Sequence, residues 1–257
     1  MGQTMSEAQK TATFLFHGEL NDFLPKSRRG CPIQCQFRGR QTVKHLIESL
    51  GVPHPEVGRL KLGDQDLSLN ALVENGDFIE VIPPELPLPL PSSDNDALDE
   101  PIRFVLDNHL GRLAAYLRLF GFDALYRNDI QDEELAHTAC AEKRVLLTRD
   151  HRLLMRTCIQ QGYWLRSKIP RQQLVEVLRR WNLADFARPF RRCLRCNGLL
   201  QEVSKEQILA QLQPLTRLYY DEFRQCGICG QIYWKGSHYE RMQIWMTTVL
   251  QASTITP

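Results

Sequence analysis

No run of this sequence approaches the about 20 consecutive apolar residues that a membrane-spanning helix needs. The opening residues, Met-Gly-Gln-Thr-Met-Ser, carry no apolar secretory core. No membrane partner is therefore expected, and the cysteines are expected in a reducing, cytoplasmic compartment. Gly2 and Ser6 fit the loose myristoylation pattern, which six residues meet easily by chance. Net charge is nearly lacking too, at +2. What is present is a chain of 257 residues, 43% hydrophobic and 24% charged, with room for about two globular domains.

The small net charge hides a segregation. Residues 1–101 hold 9 Lys and Arg against 15 Asp and Glu, a net of −6; residues 102–192 hold 17 against 10, a net of +7. Fifteen of those 17 cations are arginines. Arginine suits planar, bidentate contact with phosphate, so a polyanionic partner is one reading and an Arg-rich soluble surface is the other.

A proline-rich stretch, Pro83-Pro84-Glu-Leu-Pro87-Leu-Pro89-Leu-Pro91, followed by Ser and Asp, should run extended as a linker over 85–100. Before it, strand-like runs at Thr13–Phe16 and Ile33–Phe37 precede Thr42–Leu50, where Val43, Leu46, Ile47 and Leu50 have helical spacing. Leu60–Leu62 and Asn75–Ile82 then read as further strands. Residues 12–84 thus resemble the β-grasp, ubiquitin-like fold of small sulfur-carrier proteins. The Gly-Gly terminus those carriers use is missing, since the last strand runs into Pro83-Pro84. The module is expected to bind a protein partner or position a substrate.

Beyond the linker, strands and helices alternate: Ile102–Leu106, Leu110–Phe120, Asp123–Tyr126, Asp132–Glu142, Arg144–Thr148, Gly162–Leu165 and Gln173–Trp181. This predicts an α/β fold with a parallel sheet and crossover helices over 101–190. Ligands of such sheets sit at the carboxyl ends of the strands. Asp107 and Asp150 follow two strand ends, and Asp132 heads a helix at the same edge. Carboxylates gathered there need a cation, and oxygen-only ligands suit magnesium or manganese. Such a metal can activate water against a phosphodiester. Each acid also has a local alternative: Asp132 as a helix N-cap, Asp150 as the cap of the next helix, and Asp107 as the end of a strand. Arg112 and Arg149 are candidates for substrate phosphate or are simply solvated.

Near the end stand Cys193-Leu-Arg-Cys196 and Cys226-Gly-Ile-Cys229. Paired thiols two residues apart can share one tetrahedral ion, a closed structural zinc site; two disulfides or four unrelated thiols are the alternatives. A ribbon is expected over 191–240, followed by a helical tail over 241–257 whose Met242, Trp245, Met246 and Val249 should dock on the body.

In combination, Asp107-Asn-His-Leu-Gly-Arg-Leu-Ala-Ala-Tyr-Leu-Arg-Leu-Phe-Gly-Phe-Asp123, Asp132-Glu-Glu-Leu, Arg144-Val-Leu-Leu-Thr-Arg-Asp150, Arg195-Cys-Asn-Gly198 and Cys229-Gly-Gln-Ile-Tyr-Trp-Lys-Gly-Ser-His-Tyr239 are similar to the Mut-seven carboxy-terminal RNase family. The resemblance covers about 12–240, because the β-grasp module is found fused to this family. It implies a PIN-like nuclease with a zinc ribbon, acting on RNA through acid-bound magnesium or manganese. Asp107, Asp132 and Asp150 match the acids of PIN-domain proteins, and Thr148 matches the Thr of their Thr-x-Asp. A further acid usual in that group is represented only by Asp123 or Asp129. A non-catalytic RNA- or ribosome-binding adaptor and a protein-interaction scaffold are the competing expectations.

Overall fold

Every second side chain of Lys10–Phe16 (β1), namely Ala12, Phe14 and Phe16, is buried, as a strand with one covered face requires. The computed structural model describes residues 8–91 and 102–254, so the pattern at Gly2 and Ser6 and the polar half of the linker lie outside the described residues. Ile33–Phe37 (β2), Arg59–Leu62 (β3), Gln65–Leu67 (β4) and Phe78–Ile82 (β5) complete a sheet ordered β2-β1-β5-β3-β4. β1 lies antiparallel to β2 and parallel to β5, and β3 is antiparallel to both β5 and β4. Helix α1, Val43–Ser49, adds Val43, Leu46 and Ile47 to the core of Phe14, Phe16, Ile79 and Val81. The Thr42 hydroxyl caps it by accepting the His45 N–H at 3.2 Å. This is the expected β-grasp arrangement.

The chain divides into two compact units, one of residues up to 85 with 148–164, the other of 86–147 with 165–257. In the second unit, Arg103–Leu106 (β6), Gly111–Leu119 (α2), Asp123–Leu125 (β7), Asp132–Ala141 (α3) and the start of Val145–Thr148 (β8) follow the predicted alternation. β6 pairs in parallel with both neighbours, Arg103 opposite Asp123 and Leu106 opposite Leu147. Phe104, Val105, Leu106 and Val145, Leu146, Leu147 are all buried, the continuous apolar runs of a sheet covered on both faces. Gly162–Trp164 forms β9, and α4, Pro170–Arg180, begins three residues before the expected Gln173. Pro170 opens that helix because its first turn needs no N–H partner there.

Leu200–Val203 (β10), Phe223–Cys226 (β11) and Ile232–Trp234 (β12) form a separate antiparallel ribbon. Two short helices, Lys205–Ile208 (α5) and Pro214–Tyr219 (α6), fill the space between the cysteine pairs and are not visible as periodic runs in the sequence. The tail is helix α7, Ser237–Thr254, and it docks as expected. Its Trp245 ring lies 4.9 Å from Tyr116 and 5.8 Å from Phe120, with Met246 and Val249 buried. Among the described residues no helix is long and apolar enough to cross a membrane.

One joint positions the ribbon. Helix α2 ends at Gly121 (φ 93°), where an added Cβ would meet the Arg188 carbonyl oxygen at 2.1 Å. The N–H groups of Arg188 and Phe190 donate to the carbonyls of Phe120 and Leu119 at 2.8 and 3.2 Å. The connection into the ribbon thereby satisfies carbonyls that a helix end leaves open.

Candidate metal centre and acidic edge

Two matching turns build the thiol cluster. In each, the residue after the second cysteine, Asn197 or Gly230, takes the same left-handed conformation (φ 71°). Its N–H donates to the carbonyl of the first cysteine at 3.0 Å, Asn197 to Cys193 and Gly230 to Cys226. This closes both turns so that all four sulfurs point to one centre. Cys193 and Cys229 sulfurs are 3.6 Å apart, Cys196 and Cys226 sulfurs 3.4 Å, and all four ligand atoms lie within 4.8 Å of one another. These are not disulfides. Four sulfurs about 2.3 Å from one tetrahedral ion would sit about 3.8 Å apart, so the quartet is dimensioned to hold a metal. Gly198 is forced by the same geometry, since a Cβ there would come 2.9 Å from the Cys226 sulfur.

Burial pushes the Cys193 thiol up, but the Tyr233 hydroxyl at 3.2 Å and the N–H groups of Arg195 and Cys196 outweigh it and bring it to about 7. The Tyr233 oxygen also accepts the Leu194 N–H at 3.1 Å. That ring is thus committed to packing the thiol turn.

A buried polar network ties this centre to the parallel sheet. Asp123, 8% exposed at the first position of β7, receives Arg144 Nη1 at 2.7 Å and Asn197 Nδ2 at 2.7 Å, with Arg192 Nη2 at 3.5 Å. Burial pushes its carboxyl up, yet the bonds and charges of Arg144, Arg192 and Asn197 prevail and hold it below the usual carboxylate range. Arg118, 3% exposed, donates to the carbonyls of Ala124, Leu194 and Arg195 at 2.9, 3.0 and 3.1 Å. Burial lowers its pKa, against the opposing thiols of Cys193 and Cys196 and the carboxylate of Asp123. Asp123 therefore sits at the amino edge of the sheet and serves as a joint. Asp129 is exposed and paired with Arg127, Oδ2 to Nη2 at 3.1 Å.

At the carboxyl edge, Asp107 directly follows β6 and is 6% exposed. Its backbone N–H donates to Leu147 at 3.1 Å, and its Oδ1 accepts the His109 N–H at 2.8 Å. Asp132 is the first residue of α3 and exposed; the N-cap position is taken instead by Gln131, whose side chain makes no capping bond. Its carboxylate stands in the first turn with Glu133 and Glu134, where the helix dipole favours negative charge. Asp150 is exposed two residues past β8, in the other unit. Its N–H donates to the Thr148 hydroxyl at 2.9 Å, and its Oδ1 accepts the Arg152 N–H at 2.9 Å. Thr148 is fully buried and shapes that turn, Arg149 is half-buried, and Arg112 is exposed on α2. Among the described residues, the cysteine quartet is the one gathering of three or more His, Cys, Asp or Glu ligands sized for an ion.

The network of Asp123, Arg144, Arg192, Asn197 and Arg118 is not legible in the sequence, where Asp123 is one of two stand-ins for a further acid and the arginines belong to a segment that suits either a polyanion or a soluble surface. The one available signal was Asn197, whose place after the second thiol demands a residue tolerant of positive φ.

A cavity of about 650 Å³ opens beside the ribbon, lined among others by Phe190, Arg224, Trp234, Lys235, Tyr239 and Met242. The model described as the Mut7-C RNAse domain matches residues 102–246, and the one described as Mut7-C ubiquitin matches residues 9–88. No curated protein and no solved structure matches the chain.

Proposed function

As a member of the Mut7-C RNAse domain family, the chain is, we propose, a metal-dependent ribonuclease that cleaves RNA phosphodiesters with magnesium or manganese. Asp107, Asp132 and Asp150 would hold that ion, and Arg112 and Arg149 would contact the substrate, whereas the expected contact by Thr148 gives way to a buried role in shaping the Asp150 turn. The observation that carries this reading is the parallel pairing of β6 with both β7 and β8. The connections leaving parallel strands start from one edge, and these three acids lie in those connections. The ion would neutralise the carboxylates and polarise a water or phosphoryl oxygen. Aligning the phosphodiester would fall to the cations.

We assign the cysteine quartet to structural zinc, because a closed shell of four thiolates leaves no position for a substrate. The same reading divides the chain into a ubiquitin-like segment (12–84), a linker (85–100), a nuclease segment (101–190), a ribbon (191–240) and a tail (241–257). The free thiols agree with a reducing, cytoplasmic setting.

Purified protein with mixed RNAs and manganese or magnesium tests the assignment. Asp150→Asn is expected to slow cleavage well over tenfold, more than about 1.4 kcal/mol of transition-state stabilisation. Cleavage that persists unchanged in that variant overturns it.

The cavity beside the ribbon favours one second reading, an RNA-binding adaptor. With RNA or the ribosome as its partner, this reading rests on rings such as Trp234 that could stack on bases, because Arg224 and Lys235 are already paired with Glu202 and Glu222. Salt-sensitive RNA binding by a wild-type protein that cuts nothing would establish that role instead.

A further inference from the structure

The segment that carries Asp150 is gripped by residues of the N-terminal sheet module that belong to no nuclease motif. Residues 148–164 lie in the same compact unit as residues up to 85. The short turn His54–Glu56, between α1 and β3, supplies two buried polar side chains. Glu56 is 0% exposed, and its Oε1 accepts the backbone N–H of Trp164 at 2.7 Å. A carboxylate so deep in the protein is tolerated only where hydrogen-bond donors meet it. His54 spans two acceptors: its Nδ1 lies 2.6 Å from Glu48 Oε1, and its Nε2 lies 2.7 Å from the Ile159 carbonyl oxygen. Phe23 closes the same contact, its ring 4.9 Å from that of Trp164 and 6.1 Å from that of His151.

Trp164 passes the constraint on. Its indole N–H donates to the Arg149 carbonyl at 3.0 Å, one residue before Asp150. The Thr148 hydroxyl and the Arg152 N–H fix the Asp150 turn from either side. A line of hydrogen bonds therefore runs from Glu56 through Trp164 to the peptide that bears the acid.

We propose that the ubiquitin-like module is an internal positioning element: Glu56, His54 and Phe23 hold residues 148–164, and Trp164 sets the conformation in which Asp150 is presented. The surface around His54–Glu56 thus has its partner in this same chain. The catalytic consequence rests on the ribonuclease reading, whereas the holding itself does not.

Backbone hydrogen exchange on the full-length protein separates the two. Trp164→Phe keeps an aromatic ring beside Phe23 and removes the indole donor together with part of the ring's bulk. It is expected to speed exchange across 148–156 about fivefold, the measure of one lost hydrogen bond. Glu56→Ala should extend faster exchange through 159–164, and Glu56→Gln, whose amide oxygen still accepts the Trp164 N–H, should restore it. Unchanged exchange in β1 and β5 certifies that each variant is folded. With cleavage measured alongside, Trp164→Phe should lower kcat and leave KM in place. Exchange over 148–156 that matches wild type in both Trp164→Phe and Glu56→Ala overturns the proposal. So does faster exchange with unaltered kcat. A wild-type protein that cuts no RNA counts against the ribonuclease reading alone, and exchange still decides whether the module holds the segment.

Discussion

Asp123 shows how far a residue's meaning depends on its neighbours. In the sequence it is one more acid in an arginine-rich stretch; in the structure it is the buried hub that joins Arg144 of the sheet to Arg192 and Asn197 of the ribbon. Removing one partner of a buried charged pair leaves the others unpaired, so Asp123→Asn should cost about 3 kcal/mol in urea unfolding at pH 7. The pH dependence follows from the direction of its shift. A carboxyl held below its unfolded value of about 3.9 contributes fully above that value and loses its contribution as pH falls through the folded value. The wild-type and variant stabilities should therefore differ most near neutrality and converge below about pH 4. The difference between the two proteins is the readout. Asp107 and Asp150, in contrast, were legible as strand-end acids because their positions follow from the local order of elements.

At the scale of elements, the paired thiol turns are the most legible part of the chain. Cys-x-x-Cys sets its own geometry within five residues, and the strand and helix periods around it are equally local. Gly198 has a reason that only packing supplies, the 2.9 Å approach to the Cys226 sulfur. A metal ligand cannot yield as a free side chain can. Gly198→Ala is expected to weaken metal binding about 10- to 100-fold, as changes just outside a ligand shell do, read by competition with a chelator. Affinity equal to wild type would show that the thiol turn relaxes. The end of α2 teaches the same lesson: Gly121 reads as a helix stop, but the crossing Arg188 carbonyl makes glycine obligatory there. α5 and α6 escaped detection because they are four and six residues long, too short to display a period, and α6 exposes Leu215, Leu218 and Tyr219.

Over the whole molecule, the arginine excess divides into two populations. Arg118, Arg144, Arg180 and Arg192 are buried, and Arg127 is committed to Asp129 and Glu134, whereas Arg112 stays exposed. Charge counting therefore overstates the surface available to a polyanion. The zinc assignment has a molecule-wide consequence, because a structural ion contributes binding free energy of about 10–16 kcal/mol to the fold that holds it. Metal analysis should find about one zinc per chain. Chelation should unfold the ribbon, seen in the fluorescence of Trp234, while hydrogen exchange in β1 and β5 stays as in the loaded protein. A zinc-free preparation with a fully protected ribbon would refute the assignment.

Spacing and periodicity act between residues close in sequence, and such local rules already specify the order of strands and helices in the two modules and the thiol quartet. Burial and pairing join residues far apart, and no local rule reaches them. Folding alone makes Asp123 a joint, removes arginines from the surface and places Glu56 beneath the segment that carries Asp150. The physical reason is that a side chain's charge, exposure and partners are set by the elements packed around it, and those elements meet only once the chain has closed on itself.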